Sequence, residues 1–201
     1  VIVVINNYNQ EEQDKILNFV RNHPLTTQWV LCSHNIGHNY AINLGLQLSQ
    51  SEVVIAVNDD CRVSAETYEN MSKPFYSDPT IGITGPVQGS PGGFGDAVPS
   101  DCVLIQGFLI AFRRKMLKEV GYYDELPSPL GDETELTVRA WFKGWKAKVV
   151  EGGWRHFHDI SNHPETVVNF MGKPWVAETA QKETFPLLVE KVRNHATNKS
   201  V

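Results

Sequence analysis

The sequence predicts one α/β domain built on a mostly parallel, mixed central sheet flanked by helices. Two observations lead there. Val1-Ile-Val-Val-Ile5 and Val53-Val-Ile-Ala-Val57 are short, nearly unbroken β-branched runs, the mark of strands buried on both faces. Around them, stretches with apolar residues at helical spacing alternate with strand-like ones in the order βαβαβαβ. The chain has 201 residues, enough for one domain with a real core, and no linker or internal repeat divides it.

The elements follow in order. The strand over residues 1–5 ends in the polar loop Asn6-Asn7-Tyr8-Asn9. Glu11 to Asn22 carries Ile16, Leu17, Phe19 and Val20 at helical spacing and is stopped by Pro24. Gln28 to Cys32 is a short strand, and Tyr40 to Leu48 a helix after the Asn35-Ile36-Gly37 break. The strand over 53–57 stops abruptly at Asn58-Asp59-Asp60. Ser64 is the N-cap of a helix running to about Phe75, and Ile81 to Thr84 is the next strand. Residues 88–100, rich in Gly, Pro and Ser, read as a mobile loop. Val103 to Ile105 and Phe108 to Phe112 are strand-like, and Arg114 to Val120 is a short helix ended by Gly121. Asp132 to Lys143 is a helix with acids at its start, as the helix dipole prefers, and Lys146 to Val150 is a last strand. Thr179 to Arg193 is a final amphipathic helix, with a polar, frayed tail from Asn194.

Composition removes several functions. Content of 41% hydrophobic and 20% charged residues is that of an ordinary globular protein. A net charge of −5 without a dense Lys/Arg run argues against a general nucleic-acid surface. No apolar stretch approaches the roughly 20 residues needed to span a bilayer, and no signal-peptide pattern is visible. Cys32, Cys61 and Cys102 lack paired ligand spacing and read as thiols of a reducing, cytoplasmic compartment, with Cys61 a small packing residue. The chain opens on Val rather than Met, which fits a trimmed chain or a domain of something longer.

Three polar groups fall at the ends of core elements: Asn58-Asp59-Asp60, Asp132-Glu133, and His156 with His158. Carboxylates just past a parallel strand sit where open α/β sheets bind ligands, and an unpaired carboxylate needs a cleft or a cation. Carboxylates with His suit Mn²⁺ or Mg²⁺, and a second acidic pair can serve as a general base. A reaction that uses both is displacement of a diphosphate by a hydroxyl. Each group also has a plain alternative. Asn and Asp favour turns, acids favour a helix's first turn, and a lone His is more often structural. Glu135 and Arg139 read as a surface or positioning pair, Trp141 and Trp145 as packing residues, and Asn35 with Asn43 as turn and packing residues.

In this arrangement the chain resembles the family 2 nucleotide-sugar glycosyltransferases of the GT-A fold, over roughly residues 1–161. The motifs carrying the resemblance are Val1-Ile-Val-Val-Ile-Asn-Asn-Tyr-Asn9, Asn35-Ile-Gly-His-Asn-Tyr-Ala-Ile-Asn-Leu-Gly45 and Val54 to Asp60. They continue with Gln106-Gly107-Phe108 to Arg113-Arg114, then Val120-Gly-Tyr-Tyr-Asp124, which resembles the border of an acceptor pocket. Gly131-Asp-Glu-Thr-Glu-Leu-Thr-Val-Arg139 with Gly144-Trp145 is similar to the helix that carries the family's base, and His156 precedes Ser161 at the family's spacing.

The resemblance implies roles. Asp60 meets a metal, Mn²⁺ or Mg²⁺, with His156 or His158. Asn6, Tyr8, Asn9 and Asn35 border the donor, Asn58 reaches the ribose or diphosphate, and Asp59 supports either role. Glu133 takes the place of the base, with Asp132 its rival. Two departures stand out: Asn58 replaces an Asp, and Glu133 is longer than the family's usual Asp. Residues 1–105 then form a nucleotide-sugar-binding half, 106–161 an acceptor and catalytic half, and 162–201 a C-terminal helical segment. The implied activity is inverting transfer of a sugar, of glucose or rhamnose type, from a UDP-sugar to a glycan or glycoconjugate hydroxyl. Two alternatives remain. One is a degenerate domain that binds nucleotide or glycan without catalysis. The other is a sugar-phosphate nucleotidyltransferase, which expects a Gly-rich, Arg-containing loop that residues 6–9 lack.

Overall fold

The computed structural model describes residues 1–6, 9–124, 131–157, 168–170, 173–175, 182 and 185–197. Strands β1 (Ile2–Ile5) and β2 (Gln28–Leu31) pair in parallel across helix α1 (Gln10–Asn22). Asn9 caps α1, its side-chain oxygen accepting from the Glu11 and Glu12 amides at 3.0 and 3.3 Å. Helix α2 (His38–Leu48) leads to β3 (Val53–Val57), and β4 (Cys61–Val63) follows at once. Then come α3 (Ala65–Ser77), β5 (Ile81–Gly85), a 3₁₀ segment (Gly92–Ala97), β6 (Leu109–Arg113) and α4 (Arg114–Val120). The chain continues through α5 (Asp132–Phe142), β7 (Lys146–Val149), β8 (Trp154–His156), the hairpin-like pair β9 (Val168–Phe170) and β10 (Lys173–Trp175), and α6 (Phe185–Thr197). No helix among the described residues is long and apolar enough to cross a membrane.

The central sheet has the order β3-β6-β5-β7. β5 and β7 are parallel, while β6 is antiparallel to both β3 and β5. The sheet is therefore mixed: three strands point one way and β6 is inserted against them. The βαβαβαβ pattern does not show this insertion, because a continuous apolar run such as Leu109 to Phe112 carries no sign of its direction or neighbours. Ile110, Ala111 and Phe112 are fully buried, so β6 is the centre of the molecule.

Three other differences from the sequence reading have local causes. Val103 to Ile105 forms no strand; Ile105 makes only an isolated bridge to Gln88, and the Gly89 and Gln106 amides close the base of the loop on Leu104 and Val87. The Gly-rich segment is anchored at Phe94, which is buried and packs edge-on against Phe185 with ring centroids 4.9 Å apart. The C-terminal tail stays helical to Thr197, because Leu188 and Val192 bury themselves against Leu104 and Val138 and hold the helix to the body.

Arg113 ends β6 and is 7% exposed. Its guanidinium donates to the carbonyls of Ile81 (2.8 Å), Phe75 and Asp78 (3.1 Å) and meets Glu52 at 3.3 Å. It thus satisfies the end of α3 and stitches it to β5 and β6. Removing it leaves buried carbonyls without donors. Arg113→Met is expected to cost about 2–4 kcal/mol in urea unfolding, as the loss of charged hydrogen bonds in a buried place requires. A cost below about 0.5 kcal/mol, the level of an ordinary surface change, would contradict this role.

Candidate active site

The site begins where β3 leaves the sheet. The Asn58 amide donates to the Phe108 carbonyl at 2.9 Å, and the Cys61 amide to the Asn58 carbonyl at 3.3 Å, which turns the chain into β4. β4 pairs antiparallel with β8, and Cys61 is register partner to His156. Directly opposed residues of such a pair project to one face. His156 Nε2 lies 3.1 Å from Asp60 Oδ2, and the Phe157 amide donates to the Asp60 carbonyl at 2.9 Å. The imidazole is stacked on Phe108, centroids 4.3 Å apart and planes 10° from parallel. One ligand atom each of Asp60, Cys61 and His156 lies within 4.8 Å of the others. An oxygen, a nitrogen and a sulfur at that spacing are a donor set that fits a divalent cation. The structure thus brings together Asp60 and His156; His158 and Tyr8 lie outside the described residues.

The expected donor residues divide. Asn6 accepts from the Ile36 amide at 2.8 Å and donates to the Gly37 carbonyl at 3.0 Å and to Asn35 Oδ1 at 3.2 Å. Asn35 in turn accepts from the Gly37 amide at 2.8 Å. Both side chains therefore hold the turn that starts α2 against the end of β1. Asn9 is occupied with the α1 cap. Asn58 is half-buried in its turn, and Asp59 is exposed beside it. His38, at the start of α2, is within reach of Asp59: desolvation lowers its imidazole and the Asp59 charge opposes the shift. The sequence reading quoted His38 in a motif but gave it no role; it began the helix at Tyr40, two residues after the observed start at His38, and no spacing ties His38 to the Asp59 turn.

The second acidic group stands at the start of α5. Gly131 adopts φ +85°, and a Cβ there would meet the Phe94 ring at 2.7 Å, so the approach needs glycine. Asp132 is 3% exposed. Burial, and next the charge of Glu133, raises its carboxyl well above the usual range. Burial also raises Glu133, offset in part by hydrogen bonds from the surrounding backbone and from the Asp132 side chain. The two carboxyl groups act on each other through a side-chain hydrogen bond, which adds to the rise of Asp132 and offsets that of Glu133. Gly107 lies against Glu133, whose side-chain carbons would be 3.4–3.5 Å from a Cβ at that position. The turn Gly107-Phe108 that leads into β6 therefore has Glu133 against Gly107 and His156 against Phe108. Tyr123 was also missed: its ring is buried, and both carboxylates act electrostatically on its hydroxyl. Asn43 fixes its backbone, accepting from the Tyr123 amide at 3.0 Å and donating to its carbonyl at 2.9 Å.

Glu135, one turn on, faces the other way. It is 2% exposed and takes two hydrogen bonds from Arg139, at 2.9 and 2.7 Å, while His195 Nε2 of α6 lies 2.9 Å away. Burial alone would raise its carboxyl; hydrogen bonds with His195 and Arg139 outweigh that and hold it below its usual value. Arg139 also donates to the Val120 and Tyr122 carbonyls at 2.7 and 2.9 Å. The pair is a buried positioning clamp, not a surface pair. Trp145 is buried, its indole donating to Glu119 at 3.1 Å, and Trp141 packs edge-on with Phe142.

Residues 1–128 match the sequence profile of glycosyl transferase family 2, and the chain belongs to that family. Solved structures share its fold. The mannosyltransferase PcManGT from Pyrobaculum calidifontis, in complex with GDP-Man and Mn²⁺, aligns with a TM-score of 0.61 at 16% identity, covering 100% of this chain and 65% of that one. GalNAc-T7 with UDP, GalNAc and Mn²⁺ aligns at 0.62 and 18% identity, covering 77% of this chain and 37% of that one. TarS 1–349 from S. aureus with UDP gives 0.53 and 18%, covering 75% and 49%. These are GT-A glycosyltransferases, and the GT-A fold is the fold of this chain. The chain spans less than two thirds of the length of each of these structures. No curated protein sequence matches it.

The raised Asp132 carboxyl has a stability consequence. A carboxyl whose folded pKa exceeds its unfolded value opposes folding once the unfolded chain ionises, so its penalty is present at neutral pH and vanishes below about pH 4. Asp132→Asn is expected to raise the melting temperature at pH 7, with the gain shrinking to nothing as pH falls through the carboxylate range. Thermal unfolding at a series of pH values checks this. A loss of stability at pH 7 would show that the ionised form is favoured in the fold.

Proposed function

We propose that this chain is the donor-binding and catalytic part of an inverting glycosyltransferase. It would move a sugar from a nucleoside-diphosphate donor, UDP-linked in the first instance, to a hydroxyl of a glycan or glycoconjugate. The observation that carries the reading is the turn Gly107-Phe108 before β6, with Phe108 stacked on His156 beside Asp60 and Gly107 against Glu133. Family membership supports the same reading. The structural relatives supply both candidate nucleotides, since PcManGT was solved with GDP-Man and TarS with UDP.

A divalent cation, Mn²⁺ or Mg²⁺, held by Asp60 and His156, would supply positive charge against the diphosphate oxygens. The chain's own residues do the rest. Asn58 offers its amide side chain to the ribose or diphosphate, and His38 with Asp59 borders the same turn. Glu133 accepts the proton of the acceptor hydroxyl. The acceptor oxygen bonds to the anomeric carbon as the bond to the diphosphate breaks, and the nucleoside diphosphate leaves with the electron pair. Asp132 keeps its proton and orients Glu133 through their hydrogen bond. Residues 1–105 would form the donor half and 106–161 the acceptor half, with further acceptor contacts from 162–201 and from any chain beyond it.

A panel of UDP- and GDP-sugars with Mn²⁺, read by thermal shift and by slow donor hydrolysis, tests the assignment. At least one donor should raise the melting temperature and be hydrolysed. Glu133→Gln should keep the shift and lower turnover about 10²–10⁴-fold, the usual share of a general base. Binding without hydrolysis in the native chain would make it a nucleotide-binding module, the reading that Asn58 and Glu133 favour. A larger loss in Asp132→Asn than in Glu133→Gln would move the base to Asp132.

A further inference from the structure

Cys61 was read from sequence as a packing residue, and its place in the fold gives it a second character. Its half-buried side chain touches the apolar cluster under β4, yet the sulfur lies 3.8 Å from Asp60 Oδ1 and 3.7 Å from the Phe108 carbonyl. As register partner of His156 across the β4–β8 ladder it projects to the same face as the imidazole. Its sulfur completes the cluster in which carboxylate, imidazole and thiol ligand atoms lie within 4.8 Å of one another. Cys32 and Cys102 belong to no such cluster among the described residues.

We propose that Cys61 is a third ligand of the cation site, so that the site takes thiophilic divalent ions of the zinc and cobalt class through a metal–sulfur bond. The inference deepens the cation site of the proposed transferase and rests on it. Mg²⁺ requires hard oxygen ligands in near-octahedral array and gains nothing from a thiolate. Zinc-class ions bind sulfur, nitrogen and oxygen together in a compact shell; burial and then the Asp60 charge push the metal-free Cys61 thiol up to about 11, and its S–H proton leaves to solvent as the metal–sulfur bond forms. Such an ion would compete with Mn²⁺ for Asp60 and His156, so the site would be open to inhibition or substitution by zinc. An affinity order alone does not establish this, because any nitrogen and oxygen site prefers zinc to manganese. The sulfur bond has its own signature.

The experiment is Co²⁺ titration of the metal-free chain, without any nucleotide, followed by absorption spectroscopy. The native chain should show a near-ultraviolet thiolate-to-cobalt charge-transfer band that saturates at one equivalent. In Cys61→Ser, which keeps Cys32 and Cys102, the band should vanish and Co²⁺ affinity should fall at least about tenfold, since even outer-shell changes cost that much. Mn²⁺ affinity should change less than about twofold, because Asp60 and His156 remain. A second measurement needs no variant: saturating Zn²⁺ should protect Cys61, but not Cys102, from alkylation as read by peptide mass. Absence of the band in the native chain, its persistence in Cys61→Ser, or equal alkylation of Cys61 with and without Zn²⁺ would each overturn the proposal. These readouts use no donor, so they stand apart from whether any nucleotide sugar is turned over.

Discussion

The backbone at Gly107 and Phe108 is the constraint on which the site depends. Phe108 offers its carbonyl to the turn after β3 and its ring to His156, while Gly107 leaves room for Glu133. This short segment opens β6, which is hydrogen-bonded on both sides and buried through its length. Close packing there leaves little freedom, so both acidic groups take their position from the turn that this rigid strand anchors. A slip of β6 by one residue would reverse its side chains and separate the groups.

The first turn of α5 shows how one helix serves two ends. Asp132 is buried, Glu133 half-buried beside it, and both are raised, whereas Glu135 is buried with Arg139 and His195 and lowered. Three acids at a helix start are favoured by the dipole in the same way, so the difference comes from partners. The clamp on Glu135 fixes α5 to α6 and to the loop before it. The other pair is left without a cationic partner among the described residues, which is the costly arrangement usually kept for chemistry. Phe94 and Phe185 close against Gly131 and hold the start of α5 in place.

Much of this was legible. The continuous run over 53–57 and the helix over 114–120 match the structure residue for residue, because uninterrupted β-branched runs and a helix bounded by Gly121 leave few alternatives. The acidic ends of β3 and α5 were visible as carboxylates where core elements stop. What was not legible is tertiary. β4 and β8 have three residues each and no periodicity, so the contact of Asp60 with His156, 96 positions away, rested on resemblance rather than on spacing. The Gly-rich loop looked mobile because composition does not show that Phe94 will find Phe185. Asn6 and Asn35 read as donor contacts, and the geometry occupies both in a turn. Cys61 gave no sign of its neighbours, since its partner comes from a strand that the sequence does not announce.

The most direct measurement is paramagnetic broadening of the backbone amide signals by Mn²⁺ in the presence of UDP. The account requires one hollow, so the amides of Asp60, Cys61 and His156 should broaden most strongly and those of Gly107, Phe108 and Glu133 should broaden with them. Broadening confined to one of these groups, or centred on another part of the chain, would contradict the shared site.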